Sequence, residues 1–349
     1  MDTELTTRTN FAYFSVRFIP KRITMANLET TYLGLKLKNP LIISSSGLTS
    51  SVERVKKAEA AGAGAVVLKS LFEEQILHEA GSLAVSSDYP EAMDYLKAYV
   101  TSNNVENYLT LISEAKKAVS IPVIASINCM SASQWIDFAA KIQEAGADAI
   151  EVNVFILPND PQKTTESYEE LYYVLAEKLK KVVTIPVAFK LGAHFTNPLR
   201  IVEQLWYRKV EGVVLFNRFF EPDFDIEKMR VVSAEVFSNP SDLRNTLRWV
   251  GMAAEKVKNI NISASTGVHN GEAAVKLLLA GANTVQVCSA LYKNGPEYLK
   301  EMLSYIETWM KSKGYTSVDQ FRGAMSYGKI GDPAVYERSQ FMKYYSSHD

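Results

Sequence analysis

The feature that most constrains the fold is a recurring Ala-Gly-Ala step, at which a predicted helix ends and an apolar strand begins two residues later. It occurs at residues 61–63, 145–147 and 280–282. A glycine just beyond a helix C-terminus takes the left-handed conformation that closes the helix. A continuous Val/Ile run after it is typical of a strand buried on both faces. Each copy therefore predicts a helix that leads into a buried parallel strand.

Two further junctions, at 120–123 and 184–187, place a proline just before an apolar run, where its missing N–H costs no ladder hydrogen bond. With the remaining runs, the predicted strands are 41–44, 65–68, 123–127, 149–154, 187–189, 212–216, 261–264 and 284–287. The predicted helices are 52–61, 105–119, 133–145, 167–182, 198–209, 242–257, 271–280 and 296–312. This alternation predicts the α/β class and a closed parallel (β/α)8 barrel of the TIM type. No GxGxxG follows the first strand, which disfavours an open dinucleotide-binding sheet.

The barrel is predicted to span residues 25–326 as one domain. In residues 1–24 the basic residues follow the apolar run, the reverse of a signal peptide. We expect a disordered extension there, with a short membrane-touching segment as the alternative. Residues 327–349 are rich in Tyr and Phe and are predicted to pack on the barrel or on a partner subunit. Long connections at 72–104, 155–166 and 218–240 are expected to cover the C-terminal face as loops.

Charge and cysteine content exclude several classes of function. The net charge is -1 with the signs interspersed, so no basic surface for nucleic acid is predicted. No apolar run approaches the roughly 20 residues of a membrane-spanning helix. The two cysteines, Cys129 and Cys288, lie far apart and lack a zinc-binding spacing, so no metal site is predicted. We expect a cytoplasmic protein that acts on a small molecule.

Polar residues recur just after the predicted strands, where barrels build their active sites. They are Ser45, Ser46, Gly47, Lys69, Ser70, Asn128, Asn153, Lys190, Asn217, Arg218, Ser265, Thr266, Gly267, Cys288 and Ser289. The small residues of the last two loops let backbone N–H groups converge on an anion, which predicts a phosphate site. Each loop alone is equally typical of ordinary turns and N-caps, but the two together favour phosphate.

Lys69 and Lys190 end apolar strands, where a charge is costly to bury. Such a lysine can form a Schiff base, pair with an acid such as Glu151, or lie beside a flavin and stabilise the charge of its reduced ring. The spacing does not choose among these roles. A phosphate-binding Schiff-base lyase that uses Lys190 therefore stays an alternative.

A set of segments matches one known family in order and spacing. They are 35–41, 45–47, 67–70, 150–153, 189–191, 238–250, 265–268 and 286–291. Over about residues 28–327, the chain resembles the soluble, FMN-dependent dihydroorotate dehydrogenase family. The resemblance implies an oxidoreductase acting on CH-CH groups, a role in pyrimidine biosynthesis and a homodimer.

The resemblance also implies roles for individual residues. The implied FMN-binding residues are Ser45, Ser46, Gly47, Lys69, Ser70, Asn128, Asn153 and Lys190 around the ring, and Thr266, Gly267, Cys288 and Ser289 around the phosphate, with Ser238 close by. Asn153 and Asn217 match positions that bind the pyrimidine substrate in the family.

The chain departs from the family where the proton-accepting base is expected. The family carries a Cys or Ser shortly after the Asn153 position, whereas residues 153–159 read Asn-Val-Phe-Ile-Leu-Pro-Asn, one residue longer. Candidate replacements are Cys129, His194 and Lys190, although the first is also typical of a small buried residue and the second of a surface loop. Arg218 stands where the family has a small polar residue and could bind a carboxylate of the substrate. Either another substrate and base, or a non-catalytic flavin-binding protein, is consistent with this departure.

Overall fold

The computed structural model describes residues 26–72, 90–128, 135–154, 156–219 and 221–337. The predicted extension at 1–24, Cys129 and the last residues of the aromatic tail lie outside these ranges.

Short strands and longer helices alternate along most of the chain. The strands are β1 (Thr30–Tyr32), β2 (Leu35–Leu37), β3 (Leu41–Ile43), β4 (Ala65–Val67), β5 (Leu71–Phe72), β6 (Val123–Asn128), β7 (Ala149–Asn153), β8 (Val187–Leu191), β9 (Gly212–Leu215), β10 (Pro222–Asp225), β11 (Arg230–Ser233), β12 (Asn261–Ala264) and β13 (Thr284–Val287). The helices are α1 (Val52–Ala60), α2 (Pro90–Ala118), α3 (Trp135–Glu144), α4 (Thr165–Val182), α5 (Pro198–Tyr207), α6 (Leu243–Lys256), α7 (Gly271–Ala280), α8 (Ser289–Asn294) and α9 (Tyr298–Lys313).

Eight of these strands close into a parallel barrel. The ring runs β3, β4, β6, β7, β8, β9, β12 and β13, and β13 pairs with β3 to close it. All are parallel, and helices connect them on the outside. The predicted (β/α)8 TIM barrel is confirmed, and each predicted strand is found within two residues of its expected ends. Among the described helices, none is both long and apolar enough to cross a bilayer.

The hairpin β1–β2 closes the N-terminal end of the barrel. Tyr32, Leu33 and Leu37 are buried against inward-facing side chains of the barrel strands. The first residue of β9 is Gly212. Its lack of a side chain makes room for the hairpin, because a Cβ there would lie 2.5 Å from the side chain of Leu33. Because the hairpin β1–β2 covers the N-terminal end, the C-terminal end is the open face of the barrel. Active sites of this fold lie at that end. The hairpin was not predicted from the sequence.

Two of the predicted loops contain regular structure. Helix α2 begins at Pro90, so the latter part of the predicted 72–104 loop is helical. Ser102, Asn103 and Asn104 have low helix propensity, yet the helix runs through them. The predicted 218–240 loop contains the antiparallel hairpin β10–β11.

The described part of the aromatic tail contacts helix α6. The N–H of Tyr327 donates to the carbonyl of Gly251 over 2.9 Å. The ring of Tyr336 occupies the space that a side chain at Gly251 would need, with ring atoms 2.5 Å from the position of a Cβ. The tail therefore packs on the barrel through residue 337, while the predicted domain boundaries themselves stay predictions.

Candidate active site

A buried polar network lies inside the barrel below its open end. Lys190, near the end of β8, donates from Nζ to Ser44 Oγ at 3.2 Å and to Gln286 Oε1 at 3.5 Å. Its ammonium also lies 3.8 Å from Glu151 Oε1. Gln286 Nε2 donates to the other Glu151 oxygen over 2.6 Å. The structure thus places a lysine and a glutamate, both almost fully buried, in one hydrogen-bonded cluster.

The strand register brings the predicted asparagines together above this cluster. Asn153 is beside Lys190 in the β7–β8 pairing. Asn217 Nδ2, just after β9, donates to Asn153 Oδ1 over 2.8 Å. Asn128 ends β6 beside Asn153 and is 3 % exposed, yet its Oδ1 has no partner within the described part of the chain. A buried acceptor without a donor is costly, so this amide is suited to a ligand N–H.

Serine hydroxyls form a second hydrogen-bonded network, which begins at the ends of β3 and β4. Ser45 Oγ lies 3.0 Å from Ser70 Oγ and accepts from the Ser70 N–H over 2.9 Å. Ser70 Oγ continues to Ser126 Oγ at 2.7 Å. Tyr108 of α2 fixes the position of Ser126 in β6, because the Tyr108 hydroxyl accepts from the N–H of Ser126 and donates to the Ser126 carbonyl. Ser45 is held in place by these contacts.

The loop after β12 has an unusual backbone. Thr266 and Gly267 have φ values of 80° and 78°, and positive φ is a genuine outlier for a β-branched residue. The Thr266 hydroxyl holds the turn by donating to the carbonyl of Phe216 over 2.9 Å. A Cβ at Gly267 would lie 2.2 Å from the Leu243 nitrogen, so only glycine fits. Strain of this kind concentrates at ligand-binding loops.

The loop after β13 meets a cluster of hydroxyls. Ser289 Oγ accepts from the N–H of Ser238 over 3.1 Å, and the two hydroxyl oxygens are also 3.1 Å apart. His269 Nε2 lies 3.1 Å from Ser238 Oγ. Burial is the main cause that lowers the pKa of His269, and the nearby Lys293 lowers it further. Burial raises the pKa of the Cys288 thiol, although Ser46 and Lys190 act against it.

One cavity of about 150 Å³ is lined by some of these groups, but Ser70, Asn128 and Asn153 are not among its lining residues. Predicted site residues that line it are Ser45, Lys190, Asn217, Arg218, Ser238, Ser265, Thr266, Gly267, Cys288 and Ser289. Sequence reasoning did not select Ser44 or Gln286, which line it as well. A polar residue inside an otherwise apolar strand, such as Gln286 in β13, is the signal that could have identified them.

Other predicted residues lie elsewhere. The Lys69 side chain is exposed and lines a separate cleft beside α1 and α2, because β4 ends at Val67 and the chain then turns outward. Ser46 caps a short 3-10 helix through the Leu48 N–H. A Cβ at Gly47 would lie 2.6 Å from the Tyr292 hydroxyl.

The structure places His194 and Arg218 in different surroundings. His194 is exposed and lines a second cavity, and its role as the replacement base stays a prediction. The Arg218 guanidinium donates to the carbonyls of Glu235 and Val236 and also contacts two carboxylates of the chain. Arg218 therefore holds the loop that carries β10 and β11, and its predicted contact with a substrate carboxylate stays a prediction. In the described ranges, no cluster of metal-binding side chains is present.

Comparison with known proteins identifies the family of the chain. The family model for dihydroorotate dehydrogenase matches residues 27–310. The chain is 28% identical over 305 residues to the dihydroorotate dehydrogenase B (NAD(+)) catalytic subunit of Thermoplasma volcanium, covering 86% of this chain and 98% of that protein. It is 27% identical over 323 residues to the dihydroorotate dehydrogenase A (fumarate) of Lactococcus lactis subsp. lactis, covering 85% and 99% respectively. The chain belongs to the dihydroorotate dehydrogenase family.

Proposed function

We propose that this protein is an FMN-dependent oxidoreductase of the dihydroorotate dehydrogenase type, which transfers hydride between a C-C bond of a small polar substrate and the flavin. Bound FMN would supply the hydride acceptor and donor at its ring N5. The observation that carries the proposal is the buried Lys190 ammonium on the wall of the 150 Å³ cavity. Its contacts of 3.2, 3.5 and 3.8 Å are long, so it can also stabilise negative charge on a ligand above it.

The described residues fit FMN at both ends. At the ring end, the unpartnered Asn128 Oδ1 offers an acceptor for a ring N–H. At the phosphate end, the N–H groups of Gly267 and Val268 donate no hydrogen bond within the described part of the chain. Ser289 and Ser238 add hydroxyl groups there. Free N–H groups and hydroxyls at one end of a cavity are the chemistry that binds a phosphate.

The substrate remains less specified than the cofactor. Asn153 and Asn217 present amide groups beside Lys190, which suits a substrate with carbonyl and N–H groups. In the loop after β7, the described residues Val154, Ile156 and Leu157 have no group that accepts a proton. We therefore propose a C-C oxidation or reduction whose proton is exchanged by a group other than these three residues. Dihydroorotate is one candidate substrate, and a cytoplasmic homodimer with a role in pyrimidine biosynthesis is part of the same proposal.

The test is anaerobic mixing of FMN-loaded protein with L-dihydroorotate while the flavin absorption band is followed. In a second arm, flavin reduced with dithionite is mixed with orotate or fumarate. Bleaching in the first arm, or recovery of the band in the second, supports the oxidoreductase. A protein that binds FMN but exchanges electrons with none of these compounds would contradict the proposal for this substrate class and favour a non-catalytic flavin-binding protein.

A further inference from the structure

A second cavity opens on the C-terminal side of the barrel, outside the site described above. Its volume is about 260 Å³, and its walls come from the segment before α4, the first turns of α4, the loop after β8, and Phe219. That volume is close to the lower end of the roughly 300–1,000 Å³ typical of pockets for small ligands. We call it the side pocket. Its lining includes Tyr168, Glu169, Tyr172, His194, Phe195 and Phe219, and Asp160 and Lys163 add two further charged side chains.

Aromatic rings form most of the wall of the side pocket. Tyr172 meets Phe195 edge to face, with ring centroids 5.4 Å apart. His194 meets Phe219 in the same way at 4.5 Å. Gly192 allows this wall, because a Cβ there would lie 2.5 Å from the Phe219 ring. The pocket is therefore built by specific packing and is not a gap between loops.

A buried carboxylate belongs to this aromatic wall. Glu169 of α4 is 8 % exposed, and its Oε2 accepts from the Tyr173 hydroxyl over 3.2 Å. Within the described residues, no ion pair involves Glu169, so the Tyr173 hydroxyl meets the carboxylate without neutralising its charge. The Arg208 guanidinium stacks on the ring of Tyr173, but it pairs with the carboxylate of Glu177 and not with that of Glu169. A buried carboxylate is costly unless a donor or a cation meets it.

The chain itself shows that this wall accepts a cation. The Lys163 ammonium lies over the Tyr168 ring, 5.7 Å from its centroid, and both residues line the side pocket. Aromatic faces attract ammonium groups, and more strongly where water is excluded. A cation that enters would meet the Glu169 carboxylate and the aromatic rings that line the pocket.

We propose that the side pocket binds a small organic ammonium ion, with Glu169 as its counter-charge and Tyr168, Tyr172 and Phe195 around its apolar body. An acidic ligand would meet the buried Glu169 carboxylate and be repelled. A neutral ligand would leave this carboxylate without a counter-charge. The site is distinct from the Lys190 cavity and does not depend on the proposed redox function.

The probe for this site is benzylamine, which is a cation at neutral pH, with benzyl alcohol as its uncharged counterpart. Both are titrated into the full-length protein and followed by calorimetry or by protein NMR. We expect benzylamine to bind at least about tenfold more tightly than benzyl alcohol. Glu169→Gln keeps an acceptor for Tyr173, and it should reduce that preference to about twofold or less. Glu170→Gln, an exposed neighbour on the same helix, should leave the preference unchanged.

Lys163→Gln gives a second, independent readout on a surface side chain. Removing this competing ammonium should strengthen benzylamine binding by about two- to fivefold and leave benzyl alcohol unaffected. The proposal is overturned if the wild type binds neither probe or binds both equally. It is also overturned if folded Glu169→Gln keeps the preference, or if Lys163→Gln weakens amine binding.

Discussion

The two halves of the barrel's open face differ in the groups that they present. One half, at the ends of β3, β12 and β13, has small residues, a strained turn at Thr266 and Gly267, and paired hydroxyls at Ser238 and Ser289. The other half, at the ends of β7, β8 and β9, presents the longer side chains of Asn153, Lys190 and Arg218. We call them the phosphate half and the chemistry half. Because the two halves use different groups, substitutions in each can test cofactor binding and chemistry separately.

Lys190 lies in the chemistry half, but its ammonium also contacts Ser44 and Gln286 on the β3 and β13 side. Its removal should therefore have the largest effect. Lys190→Met leaves Glu151 as a buried, unpaired carboxylate, which should lower the free energy of unfolding by about 3–5 kcal/mol. Flavin reduction should slow by about 100-fold or more, because the ring loses its nearby cation. Urea unfolding and stopped-flow absorbance measure the two effects.

Lys69→Met is the matched control, since Lys69 is exposed and outside the main cavity. Glu151→Gln in the Lys190→Met background should recover most of the lost stability. If Lys69→Met has the larger effect on flavin reduction, Lys190 is not the residue that stabilises the ring.

Gly267→Ala tests the phosphate half. The substitution combines a left-handed backbone, which costs a non-glycine residue about 1–2 kcal/mol, with a Cβ 2.2 Å from the Leu243 nitrogen. We expect a loss of FMN affinity of about tenfold or more and a loss of about 3 kcal/mol in unfolding free energy. Gly146→Ala has the same backbone strain but nothing within 4 Å, so it should cost about 1 kcal/mol and leave FMN binding unchanged. Equal effects of both substitutions would show that the contact with Leu243 is unimportant.

Arg218→Gln tests the chemistry half. Arg218 holds the carbonyls of Glu235 and Val236, so its loss should loosen the loop that contains β10 and β11. We expect limited proteolysis within 221–236 to become about tenfold faster, with less than about 1 kcal/mol change in global stability. Arg230→Gln, in the same hairpin and mostly exposed, is the control and should change neither quantity. An unchanged cleavage rate for Arg218→Gln would show that Arg218 does not hold this loop in place.

His269 should give the smallest effect, as a pH dependence. Its folded-state pKa is lowered, mainly by burial, so the unfolded chain takes up the proton first as the pH falls. The free energy of unfolding should therefore decrease as the pH is lowered from about 7.5 through the ordinary histidine pKa of about 6.5. His269→Gln should flatten this part of the profile, while His194→Gln, at an exposed position, should not. A steeper pH profile of the unfolding free energy in His269→Gln would contradict the lowered pKa of His269.

The sequence predicted the barrel because Val/Ile runs and Ala-Gly-Ala junctions are strong local signals. It also predicted which polar residues would meet, since strand ends converge in a parallel barrel, and Asn153, Asn217 and Lys190 do converge. It did not predict the direction of the Lys69 side chain, because Lys69 is two residues beyond the end of β4, where the alternation of faces no longer holds. Gln286 and His269 were missed, since their roles arise from contacts between distant segments.

The most direct test of the central claim is an equilibrium titration of the full-length, flavin-free protein with FMN and, separately, with riboflavin. We predict one FMN per chain, and binding at least about tenfold tighter than that of riboflavin, because the phosphate half binds the group that riboflavin lacks. Gly267→Ala should reduce this preference. A folded protein that binds no FMN, or that binds FMN and riboflavin equally, would contradict the proposed flavin site.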